Sequence, residues 1–88
     1  MSKREACRKV LDSEVQHWSA MSCDQLIIEL RNLQEYVVEL ESKKYQVEVE
    51  LLENTDKYLH VMVAVDDVSL LAFIFPLTSS FISQKPIN

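Results

Sequence analysis

Between Tyr45 and Val65 apolar residues fall on every second position, break for four polar residues, and then resume. A period of two puts successive side chains on opposite faces of an extended chain, so the pattern predicts a β-hairpin. Its first strand, 45–52, turns Tyr45, Val47, Val49 and Leu51 one way and Gln46, Glu48 and Glu50 the other. That is a half-buried strand with one wet, acidic face. The second strand, 58–65, sets Leu59, Val61, Val63 and Val65 against Tyr58, His60, Met62 and Ala64, a face without acidic groups. Asn54-Thr55-Asp56-Lys57 supplies the turn, because Asn and Asp tolerate left-handed backbone in a chain with no glycine.

Upstream the period changes to that of a helix. Cys7, Leu11, Val15 and Trp18 lie 4, 4 and 3 residues apart, with Val10 widening the stripe, and predict an amphipathic helix over about 3–20. Ser22-Cys23-Asp24-Gln25 has the form of a capping box, in which Ser22 and Gln25 satisfy each other's backbone amides. A second helix over about 23–34 follows, with Leu26, Ile27, Leu30 and Leu33 on its buried face. Residues 35–44 carry two patterns. Leu26, Leu30, Leu33, Val37 and Leu40 continue the helix towards Lys44, whereas Tyr36, Val38 and Leu40 alternate with Glu35, Val37, Glu39 and Glu41 as a strand. Tyr and Val favour strands, so the strand reading over about 36–40 is preferred, with Ser42-Lys43-Lys44 as its turn.

Downstream, Asp66-Asp67-Val68-Ser69 reads as a turn and 70–75 as a strand apolar on both faces, ended by Pro76. Thr78-Ser79-Ser80 is polar, and 83–88 reads as a loose tail. The expected architecture is a single α+β domain over 1–88, with two N-terminal helices packed on an antiparallel β-meander of about four strands. Two short helices cover one sheet face. On the other, Met62, Ala64, Leu70, Ala72 and Ile74 would form an apolar patch, the mark of an interface and here the expected surface of a homodimer, with Leu77, Phe81 and Ile82 folding back over the patch as the alternative.

Composition narrows the function classes. An 88-residue chain with 48% hydrophobic and 26% charged residues has enough apolar content for one core and no room for a second domain. The net charge of −5 disfavours a nucleic-acid surface, which needs clustered Lys and Arg. The charge is uneven: residues 1–21 sum to +1, 22–44 to −2 and 45–88 to −4. If 35–41 pairs with 45–52, Glu39, Glu41, Glu48 and Glu50 make an acidic stripe suited to a basic protein partner, or simply a solvated face. Lys3, Arg4, Arg8 and Lys9 interrupt any apolar leader segment, and the run Leu70–Phe75 is too short to span a bilayer. Membrane partners are therefore not expected, a cytoplasmic location is, and Cys7 and Cys23 are expected as reduced thiols.

Candidate chemistry is sparse. His17 beside Trp18 lacks an activating partner nearby and reads as a surface histidine. His60 is the one low-prior pocket residue. It lies about 20 Å along the strand from Asp66, so only a cross-strand neighbour can complete a site. Asp66-Asp67 resembles half of a carboxylate metal site but reads better as a turn. Cys7, Cys23 and His17 match no zinc spacing, and the absence of glycine rules out a Gly-rich phosphate loop. No catalytic residue, metal ligand or cofactor is therefore expected.

The runs Tyr45–Glu53, Val63-Ala-Val-Asp-Asp67 and Pro76-Leu-Thr-Ser-Ser-Phe-Ile82 resemble small uncharacterised bacterial proteins of unknown function. Val68 departs from the glycine expected after Asp66-Asp67. The resemblance covers the C-terminal half and implies a bacterial, cytoplasmic origin and no catalytic activity. The leading expectation is a non-enzymatic protein-interaction module working as a homodimer. The alternatives are a small-molecule binder or small enzyme with His60 in a pocket, and an antitoxin- or immunity-like protein that binds a basic partner.

Overall fold

The computed structural model describes residues 3–67 and 76–87. Two helices, α1 (Lys3–Ser19) and α2 (Cys23–Glu29), precede four strands, β1 (Gln34–Leu40), β2 (Lys43–Asn54), β3 (Tyr58–Asp67) and β4 (Leu77–Gln84). The strands form one antiparallel sheet in chain order, so the α+β meander read from the periodicity is the fold.

Cross-strand register sorts the side chains into two faces, since residues directly opposite one another share a side. The rows Tyr36–Val47–Val65–Leu77 and Leu51–Val61–Phe81 face the helices. Tyr45, Val47, Val49, Leu59, Val61, Val63 and Val65 are almost wholly buried there. α1 packs mainly on β3 and β4 and buries Ala6, Val10, Leu11 and Trp18 in the core. The predicted stripe is therefore present, rotated so that Cys7 and Val15 sit half-buried at its margins.

α2 is shorter than the apolar spacing predicts and ends at Glu29, not near 34. Leu30 caps it, and the Gln34 side-chain amide donates to the Glu29 carbonyl at 2.9 Å. The chain then enters β1, where Tyr36 and Val38 gain the partners Val47 and Tyr45. Leu33, expected on the buried helix face, is left 43% exposed. Only half of the expected capping box forms. The Gln25 amide N–H donates to Ser22 Oγ at 3.1 Å, but the Gln25 side chain runs along the helix to Glu29 at 2.6 Å.

The first hairpin turns at Glu41-Ser42, not at 42–44, with Leu40 opposite Lys43. Both turn residues hold positive φ, 50° and 66°. This is the geometry of a two-residue turn whose twist matches the flanking strands. The second hairpin turns where expected. Thr55 Oγ1 accepts from the amides of Lys57 and Tyr58 at 3.2 and 3.0 Å. A bulge at Leu52 shifts the register between Leu51 and Glu53 and leaves Leu52 exposed.

Asp66 and Asp67 close β3, opposite Gln46 and Tyr45, instead of forming a turn. The expected strand 70–75 lies outside the described residues. The fourth strand is Leu77–Gln84, where the sequence reading has a polar Thr78-Ser79-Ser80, a docking Phe81-Ile82 and the start of a loose tail at 83. It pairs residue for residue with β3 from Val65–Leu77 to Tyr58–Gln84. An edge strand needs one partner only, so small polar residues such as Ser79 and Ser80 suffice. Lys85 continues the order, its amide donating to the Lys57 carbonyl and its Nζ to Asn54 Oδ1 at 2.6 Å.

Candidate functional site: the outer face of the sheet

The face turned away from the helices carries Glu35, Val37 and Glu39 on β1, and Lys44, Gln46, Glu48 and Glu50 on β2. β3 adds His60, Met62, Ala64 and Asp66, and β4 adds Thr78, Ser80 and Ile82. Glu35 and Glu48 stand directly opposite each other. Burial pushes the Glu48 carboxyl above its ordinary 4.5; a hydrogen bond with Glu35 and the charges of Glu35, Glu50 and Asp66 add to the rise. Glu48 thus holds a proton more readily than a separate glutamate does. Asp66 is also raised, by desolvation, and its Oδ1 is buried without a hydrogen-bond partner. Lys44 is the only Lys or Arg that the described strands place on this face, and it lies opposite Glu39.

Of the four glutamates singled out from the sequence, Glu48 and Glu50 share this face on β2. Glu39 is offset by Lys44, and Glu41 sits in the turn. Glu35 and Asp66 complete the array, and neither was picked from the sequence. Face-matching finds Glu35: turning at 41–42 is the choice that sets Tyr36 opposite Val47 and, next to it, Glu35 opposite Glu48.

The array makes a definite pH prediction. A group whose pKa is higher in the folded than in the unfolded chain favours folding fully below its unfolded value, and loses that contribution as pH rises through its folded value. For Glu48 the loss begins near 4.5 and continues upward. Glu48→Gln is expected to gain roughly 0.2–1 kcal/mol at pH 7, the cost of like charges directly opposite in a sheet. The gain disappears near pH 4, as read by urea melts of both proteins across that range. An equal difference at both pH values contradicts the raised Glu48 carboxyl.

Of the expected apolar patch, Ala64 is only 6% exposed and Met62 half-buried, while Leu70, Ala72 and Ile74 lie outside the described residues. Next to them β4 contributes Thr78 and Ser80, which are polar. His60 does meet a cross-strand carboxylate. Its Nδ1 lies 3.5 Å from Glu53 Oε1, across the bulge, with the two side chains 27% and 52% exposed. The pair lies on the outer sheet face, partly open to solvent.

One depression, an open groove of about 570 Å³, is lined by His17, Trp18, Glu29 and Tyr36 among others. Three of its side chains are joined by hydrogen bonds. Trp18 Nε1–H donates to Tyr36 Oη at 2.8 Å, and the phenol in turn donates to Glu14 Oε1. Burial and the Glu14 hydrogen bond hold the Tyr36 phenol well above its ordinary range. His17 itself is exposed, edge-on to Trp18.

The thiols are free, Cys7 near the start of α1 and Cys23 at the start of α2. Burial and the Asp67 and Asp66 carboxylates push the Cys7 thiol up, which disfavours the nucleophilic thiolate. Cys23 is buried against Ser83, its Sγ 3.2 Å from Ser83 Oγ and 3.3 Å from the Gln84 carbonyl. Among the described residues no three His, Cys, Asp or Glu side chains are placed to hold a metal ion, and no helix is long and apolar enough to cross a membrane. Comparison with protein families, curated proteins and solved structures gives no significant match to this chain.

Proposed function

We propose that this protein is a non-enzymatic protein-interaction module, and that its acidic outer face binds a basic surface on another protein. One observation carries the reading: Glu35, Glu48, Glu50 and Asp66 are gathered on three adjacent strands with no lysine or arginine among them. A face kept wet for solubility alone gains nothing from opposing two glutamates directly, because that arrangement weakens the sheet. A partner presenting Lys or Arg relieves the repulsion on binding and is steered to the face by its field. The open setting of the His60–Glu53 pair favours this reading over a pocket enzyme. A cytoplasmic setting, as the sequence resemblance implies, is part of the same proposal.

The test is titration of the labelled protein with lysine- and arginine-rich peptides against neutral peptides of equal length. The wild-type chain is expected to bind the basic set, more weakly as salt rises. Replacing Glu35, Glu48 and Glu50 together by Gln is expected to weaken binding about tenfold, or ~1.4 kcal/mol. Equal affinity for both peptide sets, or no loss on substitution, overturns the reading.

A further inference from the structure

The two edges of the sheet are built differently. β1 presents Glu35 and Glu39 on its outer side, so two β1 strands placed side by side bring carboxylates together. β4, Leu77-Thr-Ser-Ser-Phe-Ile-Ser-Gln84, has no charged residue and no proline, and it pairs with β3 without a bulge. Those are the devices by which natural edge strands avoid pairing with another chain. Its far edge pairs with no strand among the described residues. Cys23 meets the carbonyls of Ser83 and Gln84, so the stretch open to a partner is 77–82.

We infer that β4 pairs antiparallel with β4 of a second copy about a two-fold axis normal to the sheet near Ser80, joining two meanders into one eight-stranded sheet. Such an axis keeps each copy's helices on the same side. Side chains that face each other must share a face, so Thr78 meets the partner's Ile82 and Ser79 meets the partner's Phe81. Every such pair is neutral, which makes β4 compatible with itself where β1 is not. Ile82, now 52% exposed, gains a neighbour.

α1 crosses the sheet obliquely, with Arg4, Glu5 and Arg8 beside Leu77 of β4 and its far end at Tyr36 of β1. The hollow between α1 and the edge of β4, lined by Arg4, Glu5, Arg8 and Leu77, is where the second copy would lie. This dimer uses an edge, and it stands independently of the acidic-face reading.

Sedimentation of the full chain at about 100 µM is expected to show a dimer, and Ser80→Lys, which sets two ammonium groups at the axis, to weaken it at least tenfold with an unchanged circular dichroism spectrum. Val37→Lys, on the opposite edge, is expected to leave the dimer intact. Hydrogen exchange on the wild-type protein decides the matter even if Ser80→Lys fails to fold. Raising the concentration from about 1 to 100 µM is expected to slow exchange of β4 amides within 77–82. A monomer at 100 µM, a dimer broken by Val37→Lys but not by Ser80→Lys, or concentration-dependent protection confined to other segments overturns the inference.

Discussion

Tyr36→Phe is expected to destabilise the protein by about 1–3 kcal/mol, the cost of leaving a buried polar group without its partner. The phenol is the middle of a chain of three groups. It accepts from the indole N–H of Trp18, which is 5% exposed, and donates to Glu14 one helical turn earlier on α1. Phe keeps the ring and its packing but leaves the Trp18 N–H unmatched. The effect is larger than for a surface hydrogen bond because the part-buried trio ties α1 to the edge strand β1. For a domain of this size a loss of that order lowers the melting temperature by roughly 4–24 °C. Urea melts followed by fluorescence read the site directly, since Trp18 is the chain's one tryptophan. Glu14→Gln retains a carbonyl acceptor for the phenol and is expected to cost less than Tyr36→Phe. Unchanged stability in Tyr36→Phe would show that water replaces the phenol at no cost.

Replacing Glu41-Ser42 by Asn-Gly is expected to act in the opposite direction, gaining about 1–2 kcal/mol. Both residues occupy the left-handed region, which costs an L-residue with a Cβ roughly 1–2 kcal/mol. Asn-Gly is the preferred pair for a two-residue turn of this hand. Glycine returns part of the gain through its freer unfolded chain, about 0.5–1 kcal/mol. Ser42→Val supplies the opposite sign, because a β-branched side chain is least tolerant of positive φ. Thermal melts of the three proteins are expected to rank Asn-Gly above wild type above Ser42→Val. Any other order contradicts the turn geometry. The gain also bears on function, since this turn sets the register that places Glu35 against Glu48.

That coupling explains how far the chain could be read. The strand 45–52 and its partner 58–65 were legible because one face must be buried, and a period of two leaves no other way to bury Tyr45, Val47 and Val49 together. The preference for a strand over a helix at 36–40 held for the same reason: Tyr36, Val38 and Leu40 lie on the buried side, opposite Val47, Tyr45 and Lys43. β4 was missed because an edge strand against a well-formed β3 needs little hydrophobic signal of its own. Leu77, Ser79, Phe81 and Ser83 alternate inward with only two large apolar residues among them. The end of α2 was misplaced because Leu30 and Leu33 keep a helical spacing, and only the Gln34 amide at the Glu29 carbonyl shows where it stops.

The candidate site divides along the same line. Alternation alone puts Glu48 and Glu50 on a wet face, because burying a carboxylate is costly and the valines between them must be inside. Which acidic groups from other strands stand beside them is a matter of register. Register was decided by two residues of strained turn at 41–42 and by the sheet that brings Asp66 alongside Gln46. Sequence by itself determined the class of fold, the inward face of each central strand and the acidity of the outer one, since those follow from local period and the cost of burying charge. Only the tertiary structure decided that Glu35 meets Glu48, that Tyr36 bridges Trp18 and Glu14, and that an uncharged strand forms the sheet's edge. Each of these depends on which distant segments come to lie side by side, and local periodicity does not encode that.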